Sequence, residues 1–355
     1  MNNQEILQIT ENYLKEYVAP HANLMDEDPQ LLKQALLGMQ TRSLLSLFIP
    51  QEYHGLDIEP EIFSEFQELV ARYSGALYFL QTQHQSATRM ILNSENHILK
   101  KEILSEISEG KLLLGIGFSH LRRTGVPAVI AKPTKNGYRL SGEVPWVTGC
   151  GFFQAFIVAA ISPDEGTIFG IIPFLNYQEN SGEISLGEIM PMVAMTSTNT
   201  VIITLKDWFL PEENVISRNP SEWISNNDLR SILNSIPGTL GCARAGLDVI
   251  QSVMNSKKIP FIMTTYTSLE AELYQLKEKF KVVQKRTFEH KLKLRADVIN
   301  FAARCSYAAV IVSSGASNSK MNAAGRIYRE VLVYTVSGQN TAIMEATLNQ
   351  LIDDL

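Results

Sequence analysis

Trp146 and Thr148 have the residue types that a flat ring ligand asks for, an indole face to stack on and a hydroxyl to donate from. Two apart in a strand-like pattern, they are expected on the same face, forming one wall of a pocket. The same pair also suits an ordinary β-core. Arg122 and Arg123, with His120 beside them, bring a second kind of chemistry. Paired guanidinium forks suit a phosphate or a carboxylate, and a solvated basic turn reads the same way. For proton transfer the candidates are Asp228, which also reads as a helix N-cap, and His84, whose ring titrates in the useful range. Glu345 is a more remote one.

The three cysteines, Cys150, Cys242 and Cys305, lie far apart without CxxC or Cys/His ligand spacing. Neither a disulfide framework nor a metal site is expected. Across 355 residues the formal net charge is −6, with no long Lys/Arg run. This argues against nucleic acid as a partner. The opening segment is amphipathic and polar, without the basic and apolar regions of an export signal, and no run of 18 uncharged apolar residues follows. The expectation is a cytoplasmic protein with no membrane partner. Apolar residues at 45% and charged residues at 19% fit a folded globular chain of two or three packed units.

Periodicity places the candidates on elements. Apolar residues recur at helical spacing over 4–18, where Pro20 is expected to end the run, and over 31–47, 59–73, 76–92 and 98–107. From Lys111 the period falls to two, with strands expected at 112–119, 128–133, 138–148, 153–162, 167–174 and 200–210. Helical patterns return at 228–254, 269–314 (one helix, or two broken near His290), 321–336 and 341–353, with a capping-box form at 267–270. Linkers are expected at 211–219 and 256–265. The division is therefore 1–110, an N-terminal helical domain; 111–218, a middle β-domain built as a barrel or sandwich; and 219–355, a C-terminal helical bundle.

That order, together with four local stretches, resembles the acyl-CoA dehydrogenase family. FIPQEYHGL (48–56) looks like its PEEYGGLG turn, and GYRLSGEVPWVTG (137–149) like its GYxLNGxKxWITNG strand pair. Residues 196–200 with LKDWFLPEENV (205–215) resemble the exit from its β-domain, and GRIYRE (325–330) its ERLLRD segment. The resemblance implies an α+β multidomain fold with an all-α front, a middle β-barrel and a C-terminal four-helix bundle. It implies FAD as cofactor, an acyl thioester on CoA or a carrier protein as substrate, an electron-transfer partner, and a homodimer or homotetramer. Cofactor contacts carried over are Trp146, Thr148, Phe118, Ser119, Lys257, Gln339 and Asn340; His120, Arg122 and Arg123 are assigned to substrate.

Two departures stand out. Residues 117–125, matching the family's glycine-rich TEPGAGSD loop, have become basic. The family's YEGT stretch, which carries the catalytic Glu, aligns with Ser337-Gly338-Gln339-Asn340, so the base position is Gly338. An alternative base position on an earlier helix falls near Ser231, with Asp228 one turn away. A flavin monooxygenase of the same fold, which needs no such base, and a non-catalytic acyl- or partner-binding homologue therefore stay open beside a dehydrogenase.

Overall fold

The computed structural model describes residues 2–353. Six helices come first: α1 (Asn3–Tyr13), α2 (Ala19–Met25), α3 (Pro29–Gln40), α4 (Pro60–Tyr73), α5 (Gly75–Leu92) and α6 (His97–Ser108). Pro20 does not end the first run as expected. A widened π-type turn at Leu14–Val18 carries the chain into α2, where Pro20 sits in the first turn and needs no N–H partner. Side chains cap the later starts: Ser74 accepts from the Leu77 N–H and Asn96 from that of Leu99, at 3.2 Å each.

The strands are β1 (Leu114–Gly117), β2 (Val129–Thr134), β3 (Gly137–Val147), β4 (Ala155–Ser162), β5 (Gly166–Pro173), β6 (Tyr177–Glu179), β7 (Gly182–Leu186), β8 (Val201–Pro211) and β9 (Val215–Asn219). They join in one mixed sheet in the order β6-β7-β8-β3-β2-β4-β5-β9, with β1 parallel to β4. β6 and β7 are absent from the sequence expectation because runs of three and five residues show too little alternation to register. The expected linker at 211–219 contains β9, which pairs antiparallel with β5.

The C-terminal part comprises α7 (Trp223–Arg230), α8 (Ile236–Lys257), α9 (Pro260–Val283), α10 (Phe288–Ser313), α11 (Ala323–Val336) and α12 (Thr341–Asp353). The pattern at 228–254 is two helices separated by a turn, and the 269–314 stretch breaks after Val283. The capping-box form at 267–270 starts nothing: α9 runs through it, with Ile262, Tyr266, Leu269, Leu273 and Leu276 buried along one stripe. Among the described residues α10 with its extension (Phe288–Asn318) is the one helix apolar and long enough to cross a membrane. It packs against α8, α9, α11 and α12.

Polar side chains fasten the three parts together. Asp26, 2% exposed, accepts from the Met195 N–H at 2.7 Å and from Arg329 at 2.7 Å, tying α2 to the segment before β8 and to α11. Glu330, 1% exposed, pairs with Arg326 at 2.9 Å and accepts from the Gly75 N–H at the start of α5. Both acids belong to a buried junction, and Arg326, Arg329 and Glu330 are the polar residues of the stretch that resembles ERLLRD. At the edge of the sheet, Ser94 donates to the Ile216 carbonyl and Asn96 to those of Glu213 and Val215.

Candidate functional site

Trp146 sits in a β-bulge. The pairing of β3 with β8 shifts between Val144 and Val147, and Trp146 takes a φ of 60°, a left-handed conformation that an L-residue with a bulky side chain adopts at a cost of about 1–2 kcal/mol. Its indole is 47% exposed, while Thr148 is buried. The expected two-residue alternation fails here, because Trp146 lies in the bulge itself and its positive φ turns the side chain out of the regular pleat. Thr148 instead shares a 3.0 Å hydrogen bond with the Thr200 hydroxyl. In such a pair one hydroxyl donates and the other keeps its proton for a third group.

The basic segment after β1 lies beside this bulge. Ser119, exposed, places its hydroxyl 3.5 Å from the Pro145 carbonyl. Phe118 is engaged elsewhere: its ring meets Phe169 and Trp223 edge-on, which docks the start of α7 on the sheet. His120 is buried, with Nε2 donating to the Ala159 carbonyl at 3.1 Å and Nδ1 without a partner. Burial pushes its pKa down to about 4. It therefore stays neutral near neutral pH.

Arg122 and Asp228, assigned to substrate and to proton transfer respectively, meet each other. The guanidinium grips the carboxylate in a fork, Nε to Oδ2 at 2.9 Å and Nη2 to Oδ1 at 2.6 Å. Both carboxylate oxygens are thereby engaged by one side chain. Asp228 lies inside α7, whose N-cap is Glu222, so the N-cap reading is also corrected. Arg123 is exposed on the same turn. Ser231 donates to the Asn227 carbonyl at the end of α7.

His84 is fully buried and used at both nitrogens. Nδ1 accepts from the Leu114 N–H and Nε2 donates to the Leu45 carbonyl, both at 3.1 Å, so the ring braces α5 against the front loop and β1. Burial lowers its pKa to about 4. This geometry suits a structural brace, with no free nitrogen for a substrate.

On the far side, α11 ends at Ser337 and the chain turns at Gly338, with φ 65°. A Cβ built there meets nothing within 4 Å. The half-buried Asn340 accepts from the Ile343 N–H and caps α12, Gln339 bonds back through its N–H to Val336, and Glu345 is exposed on α12. Lys257 donates to the Val312 carbonyl at the end of α10, at 3.4 Å. Among the described residues no hydrogen bond, ion pair or ring contact joins residues 146–148 to 337–341 or to Lys257. Opposite Trp146 along β3, a cleft of about 630 Å³ is lined by Lys135, Tyr138, Glu165, Glu212 and Arg218. In it Arg218 pairs with Glu212 and Glu165, and Tyr138 donates to Glu165.

A probable acyl-CoA dehydrogenase of Mycobacterium tuberculosis is 22% identical over 204 residues, 56% of this chain and 52% of its own length. An acyl-CoA dehydrogenase of Bacillus subtilis is 22% identical over 213 residues, 58% and 55% respectively. Among solved structures, butyryl-CoA dehydrogenase from Megasphaera elsdenii superposes with a TM-score of 0.80 at 16% identity, covering 99% of this chain and 98% of that one. The chain has the acyl-CoA dehydrogenase fold. No family model matches it. A further member of the fold, the glutaryl-CoA dehydrogenase in a glutaryl-CoA complex, gives a TM-score of 0.78 at 17% identity, with coverages of 98% and 95%. The chain spans about half the length of the curated family relatives it matches.

Proposed function

We propose that this chain is an acyl-CoA dehydrogenase-like flavoprotein oxidoreductase that binds FAD and an acyl thioester, carried on CoA or on a carrier protein. The observation that carries the reading is the half-exposed indole of Trp146, held out of the sheet by a strained bulge within a stretch resembling the family's flavin-binding strand pair. A strained, solvent-facing aromatic is kept where its display serves a ligand. The indole offers stacking area to the ring. Thr148 and Thr200 have one hydroxyl proton between them to spare for a ring nitrogen, and Ser119 adds a hydroxyl at the same edge. A bound flavin would supply two-electron acceptance.

Arg123, exposed on the turn after β1, is the cation offered to the cofactor's or substrate's phosphates, since Arg122 is held by Asp228. We further propose an electron-transfer partner and a homodimer or homotetramer. Phe261, 70% exposed beside Lys257 and Lys258, suits contact with a second copy. With Gly338 at the base position and Asp228 and His84 committed elsewhere, α-proton removal by the family's usual group is not part of this proposal.

The test is the visible spectrum of the purified protein after incubation with FAD. Flavin bands, with quenching of Trp146 fluorescence, are expected. A colourless protein with unchanged fluorescence overturns the reading.

A further inference from the structure

Along α7 the buried residues are Ile224 and Asp228. A short helix that buries an acid where an apolar residue would serve needs a reason, because the cost of taking a carboxylate out of water is offset only by a partner. The partner is Arg122, 106 residues earlier in the chain. Side-chain exposure is 10% for Asp228 and 31% for Arg122, so the fork is largely shielded from solvent and salt. A second contact runs beside it. The Phe118 ring meets Trp223, the first residue of α7, edge-on with centroids 5.8 Å apart. Two grips, one ionic and one aromatic, clasp α7 to the turn at 118–122.

That turn is the root of the segment beside Trp146. Its backbone supplies bonds from the Leu121 N–H to the Phe118 carbonyl at 3.1 Å and from the Arg123 N–H to the His120 carbonyl at 3.0 Å. Beyond it residues 123–127 are exposed, and a Cβ built on Gly125 meets nothing within 4 Å. That exposed segment has little packing of its own to fix it. Where Ser119 and Arg123 point is therefore decided at the turn, by His120 held against β4 on one side and by α7 on the other.

We propose that Asp228 is a positioning residue: acting through Arg122, it fixes the turn at 118–122 so that Ser119 and Arg123 face a ligand stacked on Trp146. This rests on the flavin reading above and adds to that site a residue from α7, outside both the turn and the strand pair. A site whose polar groups are already held in place gives up less freedom on binding, so losing the clasp is felt as lost affinity.

The test compares Asp228→Asn with Asp248→Asn, because the fork between Arg72 and Asp248, which joins α4 to α8, has matching distances of 2.6 and 2.9 Å. Each full-length variant is titrated with FAD by fluorescence, its amide hydrogen exchange over 118–124 is followed without FAD, and its thermal midpoint is recorded. Asp228→Asn is expected to weaken FAD about ten-fold, the size of one charge-assisted hydrogen bond, and to speed exchange over 118–124 by a similar factor. Asp248→Asn is expected to lower the midpoint comparably and to leave FAD affinity within about two-fold of wild type. The reversed pair, Arg122→Asp with Asp228→Arg, is expected to recover most of the affinity. If Asp228→Asn fails to fold, Arg122→Lys, which keeps the charge without the fork, decides by the same readouts. A lowered midpoint with unchanged FAD affinity makes Asp228 a fastening for α7 alone and overturns the proposal, as does an equal loss of affinity in the two Asn variants. A wild-type chain that binds no FAD removes the flavin reading and this one together.

Discussion

The buried junction and the surfaces around Trp146 and Gly338 treat polar groups in opposite ways. At the junction, Asp26, Arg326, Arg329 and Glu330 are sealed from water and paired, and His84 bridges two backbone groups with both nitrogens. Around Trp146 and Gly338 the backbone takes positive φ, the indole faces solvent, and the pair of Thr148 and Thr200 keeps an unspent donor. The difference separates roles. Paired burial fixes how the three parts sit, while strain and unspent hydrogen-bonding capacity mark where a ligand would have something to gain.

Junction changes should therefore lower stability without touching ligand affinity, and changes at the bulge should do the reverse. The largest effect is expected for Glu330→Ala, which strands the Arg326 charge and the Gly75 N–H in the core. A loss of about 3–5 kcal/mol in urea unfolding is expected, with unaltered FAD affinity in the folded protein. A loss under about 1 kcal/mol would erase the contrast.

Acid comes next. His84 and His120 have folded pKa values of about 4, below an unfolded value near 6.5, so unfolding takes up protons between those limits. The stability these rings contribute is present above about pH 6.5 and falls as pH drops toward 4, by at most about 1.4 kcal/mol per pH unit for each ring. His84→Gln, which can keep one donor and one acceptor, should flatten that slope in denaturation curves taken at pH 7, 6 and 5. An unchanged slope would remove His84 from the junction's polar bracing.

The smallest stability effect is expected for Trp146→Gly. Relieving the positive φ should raise stability by about 1 kcal/mol, and lost stacking should weaken FAD several-fold in a fluorescence titration. Lower stability with unchanged affinity would place the indole among packing residues and sink the contrast from the other side.

The order of helices, strands and helices was legible because long runs such as those in α4 and β8 carry the 3.6- and 2-residue periods. What stayed hidden depends on contacts between distant residues. Arg122 and Asp228 are 106 residues apart, and nothing local in either turn says they meet. The bulge at 144–147 lacks a strong sequence signal beyond Pro145, so the shared face of Trp146 and Thr148 was inferred from an ideal strand. Arg295 was missed because, following Lys291 and Lys293, it reads as part of a solvated basic stretch until its burial is seen. One signal was available: in α10 it occupies a position between Leu294 and Ala296, close to Val298 and Ile299, all of which are buried.

The sheet's two ends carry a consequence for handling the protein in vitro. β6 is only three residues long and polar, and the chain beside β9 is engaged by Ser94 and Asn96. Neither margin offers a long, flat row of free amides for a second molecule to extend. Aggregation by strand addition during refolding is thereby discouraged at its starting points.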